Sequence, residues 1–248
     1  MGLIKKLKKK RRKRRQKAEY RREFEEFSRM SAAAGNRLPL RWEDRWPVLG
    51  ENTSESGFDR HYIYHTAWAT RVLVRTKPEL HIDVSSSVYF IALASAVVPI
   101  RQYEFRPPNM VLDRLETRQG SLLALPLDDR SVASLSCMHA VEHVGLGRYG
   151  DPLDPEGDLK AMAELQRVVA PGGQLLFVVP VGKPRVQFNA HRIYAYEHIV
   201  EAFSELELEQ FALIPDEPET GHLMVDASPA LVAEQKHGCG CFLFRRPA

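Results

Sequence analysis

Ionisable and polar side chains gather at four places where an apolar run of this chain ends. The first is Asp83-Val-Ser85-Ser86-Ser87, between the short β-branched run His81–Val84 and an apolar helix expected over Val88–Val97. Strand, small-residue loop and helix together bring backbone N–H groups and a helix N-terminus to a ligand. The second is Glu104, near the end of the strand expected over Ile100–Phe105, where a carboxylate can accept hydrogen bonds from ribose hydroxyls. The third runs from His139-Ala-Val-Glu142-His143 into residues 144–155, a Gly- and Pro-rich loop carrying Arg148, Tyr149 and Asp151. Loops of that length between a strand and a helix tend to carry function. The fourth is Gly182–Arg192, with Lys183, Arg185, Asn189, His191 and Arg192 following another apolar run. His143 and His191 each sit at such a polar edge, and imidazole titrates near neutral pH. Upstream of the first strand, Asp59, His61, Tyr62 and His65 form a further cluster, readable as a ligand roof or as a helix start with aromatic packing.

The elements that must position these groups follow from periodicity. Leu159, Met162, Leu165 and Val169 recur at helical spacing, and Pro171-Gly172-Gly173 ends that helix. Leu175–Val179 then runs apolar without alternation, as a parallel strand covered on both faces does. Helices are also expected over Thr66–Arg75 and Tyr196–Phe203, and strands over Thr117–Gln119, Val132–Met138, Leu206–Ile214 and Cys239–Arg245. Residues 215–237 read as an excursion before an antiparallel closing strand. The expected architecture is α/β: a mostly parallel seven-stranded sheet with an antiparallel last strand and helices on both faces. Residues 1–35 read as a basic arm with a helix from about Gln16 to Met30, residues 36–79 as a connector and leading helix, and residues 80–248 as the α/β domain.

Composition narrows the function classes. The longest apolar stretch, Val88–Ile100, contains Ser95 and Pro99 and is too short for a membrane span. No apolar segment follows the basic start, so a secretory signal is not expected. Three cysteines, Cys137, Cys239 and Cys241, make no disulfide framework and fit a reducing cytoplasm. Cys239-Gly-Cys241 lacks a second ligand pair at zinc spacing, so no metal is expected and the two thiols read as small residues on one strand face. Residues 5–17 hold 11 of the 35 Lys and Arg and no acid, leaving 24 basic against 32 acidic residues elsewhere, a net of −8. Such an arm can rest on anionic lipid at the inner face of a membrane, remain a solvated tail, or touch nucleic acid phosphates. Nucleic acid is the least supported, because no base-reading module accompanies the arm.

Gly120-Ser-Leu-Leu-Ala-Leu-Pro-Leu-Asp-Asp129, the Glu142-His143 pair that follows the strand Val132–Met138, and Arg167-Val-Val-Ala-Pro-Gly-Gly173 occur in the order and spacing seen in class I S-adenosylmethionine-dependent methyltransferases, which residues 80–246 resemble. His81-Ile-Asp-Val-Ser-Ser86, the segment Glu142–Pro155 and Asn189-Ala-His-Arg192 look like an uncharacterised branch met beside genes for surface polysaccharide synthesis. The resemblance implies a Rossmann-like methyltransferase fold and S-adenosyl-L-methionine as cofactor. It would put Asp83 and Ser85, Ser86 and Ser87 at the amino-acid part, Glu104 at the ribose, and Ser121 with Leu122 at the adenine, with His139 beside them. Serines stand where the family carries glycines, and Ser121 where it carries an acid, so hydroxyls and backbone donors take over those contacts. His143 and His191 become the candidate bases for a hydroxyl acceptor; Arg148, Tyr149, Asp151, Lys183, Arg185, Asn189 and Arg192 become the acceptor-binding set.

Three functions remain open: a methyltransferase acting on a glycan, lipid-linked sugar or related small acceptor; a catalytically silent scaffold docked on anionic membrane through residues 5–17; and a nucleic-acid methyltransferase.

Overall fold

The computed structural model describes residues 2–248, which fall into two compact units divided between Phe58 and Asp59. In the first, α1 (Gly2–Ala33) extends well upstream of the helix expected from Gln16. Charge repulsion does not interrupt it, because Lys, Arg, Gln, Glu and Ala are all strong helix formers and neither Pro nor Gly occurs inside it after Gly2. Arg21 and Glu25 pair one turn apart at 3.2 Å. A 3-10 turn at Trp42–Asp44 brings the Trp42 ring 4.9 Å from Phe24, edge to face, with the Arg45 guanidinium 4.4 Å above it.

The second unit opens with α2 (Arg60–Thr76), which begins six residues earlier than its apolar periodicity suggested. Asp59 causes this: its carboxylate accepts from the Tyr62 N–H and caps the helix. The chain then runs through β1 (His81–Val84), α3 (Val88–Ala94), β2 (Ile100–Glu104), β3 (Leu115–Gln119) and β4 (Val132–Met138). After a 3-10 turn at Val141–His143 come α4 (Gly157–Val168), β5 (Val169–Val181), the hairpin β6 (Arg185–Gln187) and β7 (His191–Ile193), and α5 (Tyr196–Ala202). β8 (Glu207–Ile214), β9 (Met224–Val225), α6 (Pro229–Glu234) and β10 (Gly238–Arg245) complete it.

The main sheet has eight strands in the order β3-β2-β1-β4-β5-β10-β8-β9, one more than expected. The additional strand, β9, is two residues from the 215–237 excursion laid along β8, too short to show any periodicity in sequence. β1 to β5 are mutually parallel where they pair, and β10 is antiparallel to both β5 and β8. The chain leaves β1 toward β2 and β3 and returns to β4 on the other side, so the order reverses between β1 and β4. A crevice forms outside the carboxyl ends of such a pair.

Each face of the sheet carries its own apolar layer. Leu175, Phe177 and Val179 of β5 pack with α4 and α5, whereas Leu176 and Val178 pack with α2 and α3 on the opposite face, the period-two alternation of a strand covered twice. Each such fully buried side chain contributes about 1.5–3 kcal/mol. In α4 the buried stripe is Asp158, Ala161, Met162, Leu165 and Val168; Leu159, expected in the core, is exposed. The face is rotated because Asp158 turns inward, pairing with Arg192 at 3.3 Å and accepting from the Tyr194 hydroxyl at 2.9 Å. α4 ends at Val168, three residues before Pro171, and β5 carries the Pro-Gly-Gly segment as an irregularity in its pairing with β4. A Cβ on Gly173 would lie 2.8 Å from the carbonyls of Ala170 and Val132, so only glycine passes there.

Candidate functional site

Asp83 leaves β1 fully buried. Its carboxylate accepts from the Ser86 N–H at 3.1 Å, from Gln102 Nε2 at 3.3 Å and from the Ser136 hydroxyl at 2.5 Å. Burial raises its pKa from 3.8 to about 6 in spite of these bonds. Ser85 takes φ +57°, the left-handed conformation usually reserved for glycine, so the loop keeps the turn its serines seemed to forbid. The Ser86 hydroxyl accepts from the Met138 N–H at 3.1 Å, joining the ends of β1 and β4, and the Ser87 hydroxyl caps α3 by accepting from the Phe90 N–H. Tyr89, on the first turn of α3, is 80% exposed.

Along the same edge, Glu104 ends β2 with one oxygen accepting from the Arg106 N–H at 3.3 Å. The Ser121 hydroxyl accepts from the Leu123 N–H at 3.2 Å, and Leu122 is half-buried against the core. Gly120 passes so close to Tyr103 that a Cβ would sit 3.0 Å from the ring.

The loop after β4 is fixed by its own acid. Asp151 accepts from the N–H groups of Gly145 at 2.7 Å, Gly147 at 3.4 Å and Tyr149 at 3.2 Å. The guanidiniums of Arg106 and Arg148 each lie 5.3 Å from the Tyr149 ring, which links the end of β2 to the loop after β4. The His143 Nδ1–H donates to the Ala190 carbonyl at 2.6 Å, to which Arg148 also donates at 3.0 Å, leaving Nε2 as the basic nitrogen. The rings of Tyr149 and His191 lie 5.8 and 6.4 Å from His143. The structure thus gathers His143, Arg148, Tyr149 and His191 into one group.

The other acceptor candidates are placed elsewhere. Arg192 is buried and donates to the carbonyls of Val144, Asp154 and Pro155 as well as pairing with Asp158, so it ties the loop to the sheet. Arg185 and the turn residue Asn189, at φ +62°, are exposed on the β6–β7 hairpin. Lys183 borders a cavity of about 90 Å³ with Pro184, Tyr196 and Pro229, well below the roughly 300–1,000 Å³ of small-molecule pockets.

His139 stands in a different environment from the other cofactor candidates. It is non-glycine yet has φ +54°, and its Nδ1–H donates to Glu142 at 2.9 Å. Around it lie His61, Tyr62 and His65 of α2, with ring centroids 6.0, 5.5 and 5.0 Å away, and Cys239 at the start of β10. Burial holds these imidazoles neutral, lowering His61 and His139 to about 4 and His65 to about 3. Burial also raises Glu142, which sits 3.9 Å from His143, to about 7, and its Oε2 has no hydrogen-bond partner. Sequence reasoning singled out the His61–His65 cluster but did not join it to His139. Cys239 and His237 lie about a hundred residues further on, and only the β5–β10 register, Cys239 opposite Pro180, brings them to the same edge.

A family model described as a Caenorhabditis protein of unknown function, DUF268, matches residues 129–211, from β4 into β8. No curated protein sequence matches the chain. Solved structures do. A provisionally named methyltransferase from Bacillus halodurans aligns with TM-score 0.53 and 15% identity over 74% of this chain and 99% of its own. The 1,6-didemethyltoxoflavin-N1-methyltransferase of Burkholderia thailandensis, solved with its substrate and S-adenosylhomocysteine, aligns with TM-score 0.52 and 11% identity over 74% and 79%. The N-methyltransferase NodS of Bradyrhizobium japonicum, solved with S-adenosylhomocysteine, gives 0.50 and 11% over 75% and 87%. With its switch point between β1 and β4 and its antiparallel β10 inserted beside β5, the chain has the Rossmann-like methyltransferase fold.

Proposed function

We propose that the protein is an S-adenosylmethionine-dependent methyltransferase whose acceptor is a small polar molecule, of the glycan or lipid-linked sugar class. The observation carrying this reading is Ser85: held at φ +57°, it preserves the glycine-like turn at the switch point even though no glycine is present. Tyr89 is exposed rather than packed into the core, and Glu104 keeps one carboxylate oxygen without a hydrogen bond among the described residues, available to a ribose. Asp83 is engaged by Ser86 of its loop and by Gln102 and Ser136 of the neighbouring strands, so contacts to an amino-acid group fall to backbone N–H groups and the Ser85 hydroxyl. The bound donor supplies an electrophilic methyl group. The protein's part is to align the acceptor and exclude water. Arg148 and Tyr149 offer a cation and an aromatic ring to a sugar, and His143 Nε2 is the base that would hold the acceptor's hydroxyl proton.

One observation favours a catalytically silent relative instead: Asp83, Ser86 and Ser87 all have their side chains engaged within the protein. Calorimetric titration with S-adenosylhomocysteine separates the two. Saturable binding at micromolar ligand is expected, weakened by Glu104→Ala; no heat at millimolar ligand would leave the scaffold reading, with the basic arm as its membrane contact.

A further inference from the structure

His61, His139 and Cys239 come from three elements remote in sequence, α2, the end of β4 and the start of β10, yet one ligand atom from each lies within 4.8 Å of the other two. We propose that these three residues bind a zinc ion, His139 and His61 through ring nitrogens and Cys239 through its sulfur, with the fourth corner left to solvent.

The spacing between Cys239 and His139 fits before any side chain moves. Zinc bound tetrahedrally, with Zn–S near 2.3 Å and Zn–N near 2.0–2.1 Å, sets sulfur and nitrogen about 3.6 Å apart. Cys239 Sγ lies 3.5 Å from His139 Nε2. The tautomer of His139 fits as well: its Nδ1–H donates to Glu142 at 2.9 Å, which leaves the Nε2 lone pair facing the sulfur. A carboxylate behind a ligating imidazole in this way orients the ring and raises its basicity. A further observation points to missing coordination. The His61 imidazole makes no hydrogen bond among the described residues, although its ring stacks on those of His139 and His237. His139 itself is held at φ +54°, and non-glycine residues keep that conformation where the surroundings require the side chain to point one way.

On binding, the Cys239 S–H proton leaves to solvent as the S–Zn bond forms, and the imidazoles bind as neutral ligands. Two nitrogens, one thiolate and an open position make a donor set suited to zinc, and the site joins α2 to the carboxyl edge of the sheet. This site does not depend on the methyl-donor reading: His61 and Cys239 are not assigned to that donor, and His139, a cofactor candidate by sequence, has its ring engaged with Glu142 and Cys239.

The test uses the full chain without a polyhistidine tag, stripped of metal and titrated with Zn²⁺ against a chelator and with Co²⁺ in an absorption cell. The expected result is one equivalent of zinc held more tightly than about 1 μM, and a thiolate-to-cobalt charge-transfer band. Cys239→Ser should abolish that band, and His61→Gln and Cys239→Ser should each weaken zinc by more than about 100-fold, whereas Glu142→Gln should weaken it about 10–100-fold. Cys137→Ala should leave binding unchanged. His61→Gln decides the matter if Cys239→Ser fails to fold, since that imidazole holds no hydrogen bond; its circular dichroism should match the parent while the zinc-induced rise in melting temperature disappears. Zinc binding weaker than about 10 μM, or binding unaltered by His61→Gln, would overturn the assignment.

Discussion

At the scale of single residues, the most constrained chemistry lies under the Asp83 loop. Ser136 donates to Asp83, so the Ser136 oxygen accepts from His81 Nε2–H at 2.9 Å; His81 Nδ1 then accepts from Ser134, whose oxygen accepts from Gln174 Nε2 at 3.0 Å. The chain of donors has one direction only, and it requires neutral His81. Burial lowers His81 to about 3 and raises Asp83 to about 6. The signs oppose. Between pH about 3 and 6.5 the unfolded state binds the His81 proton that the native state refuses, so this group makes stability fall as pH drops. Between about 3.8 and 6 the native state holds the Asp83 proton more tightly, so that group makes stability fall as pH rises. Asp83→Asn removes only the second effect. The stability of the parent relative to Asp83→Asn should therefore decline by about 1.4 kcal/mol per pH unit from pH 4 to 6. Urea unfolding across that range measures it, and a flat difference would show that Asp83 titrates normally.

At the scale of elements, the loop after β4 behaves as a built structure. Asp151 gathers three N–H groups, Arg192 gathers three carbonyls, and Gly145 at φ +79° passes so close that a Cβ would lie 2.1 Å from the Asp154 carbonyl. Gly145→Ala must move that backbone and also adopt a left-handed conformation. It should cost about 2–4 kcal/mol in chemical unfolding and raise hydrogen exchange in residues 144–155, while Gly150→Ala, with open space around it, should cost about 1–2 kcal/mol. Equal losses would mean that packing at Gly145 adds nothing to the backbone strain.

At the scale of the whole molecule, the 11 basic residues within positions 5–17 lie on α1, in a different compact unit from the sheet. No helix among the described residues is long and apolar enough to cross a membrane. Attraction to anionic lipid is about 1 kcal/mol per basic residue near the surface and fades with salt. A version starting at Ala32 should lose binding to phosphatidylserine vesicles, and the full chain should be released as salt rises. Equal partitioning of both versions would remove the membrane role. Because the two units are separately compact, the shortened version should retain the unfolding transition of Asp59–Ala248.

The sequence by itself determined the order of the main strands and helices but not the β6–β7 hairpin, β9 or α6; it also determined the parallel centre of the sheet and the polar edge at which Asp83, Glu104, His143 and Arg148 stand. Those features are local: an unbroken apolar run, a stripe at helical spacing and a turn residue each act over a few positions. Tertiary structure decided what spacing cannot encode. Asp158 entered the α4 core because Arg192, 34 positions on, was there to neutralise it. Ser85 took the left-handed turn because its loop's hydrogen bonds hold it there. His61, His139 and Cys239 became neighbours only when β10 paired beside β5 and α2 packed on the same face, since contacts between remote residues depend on strand register rather than on position along the chain.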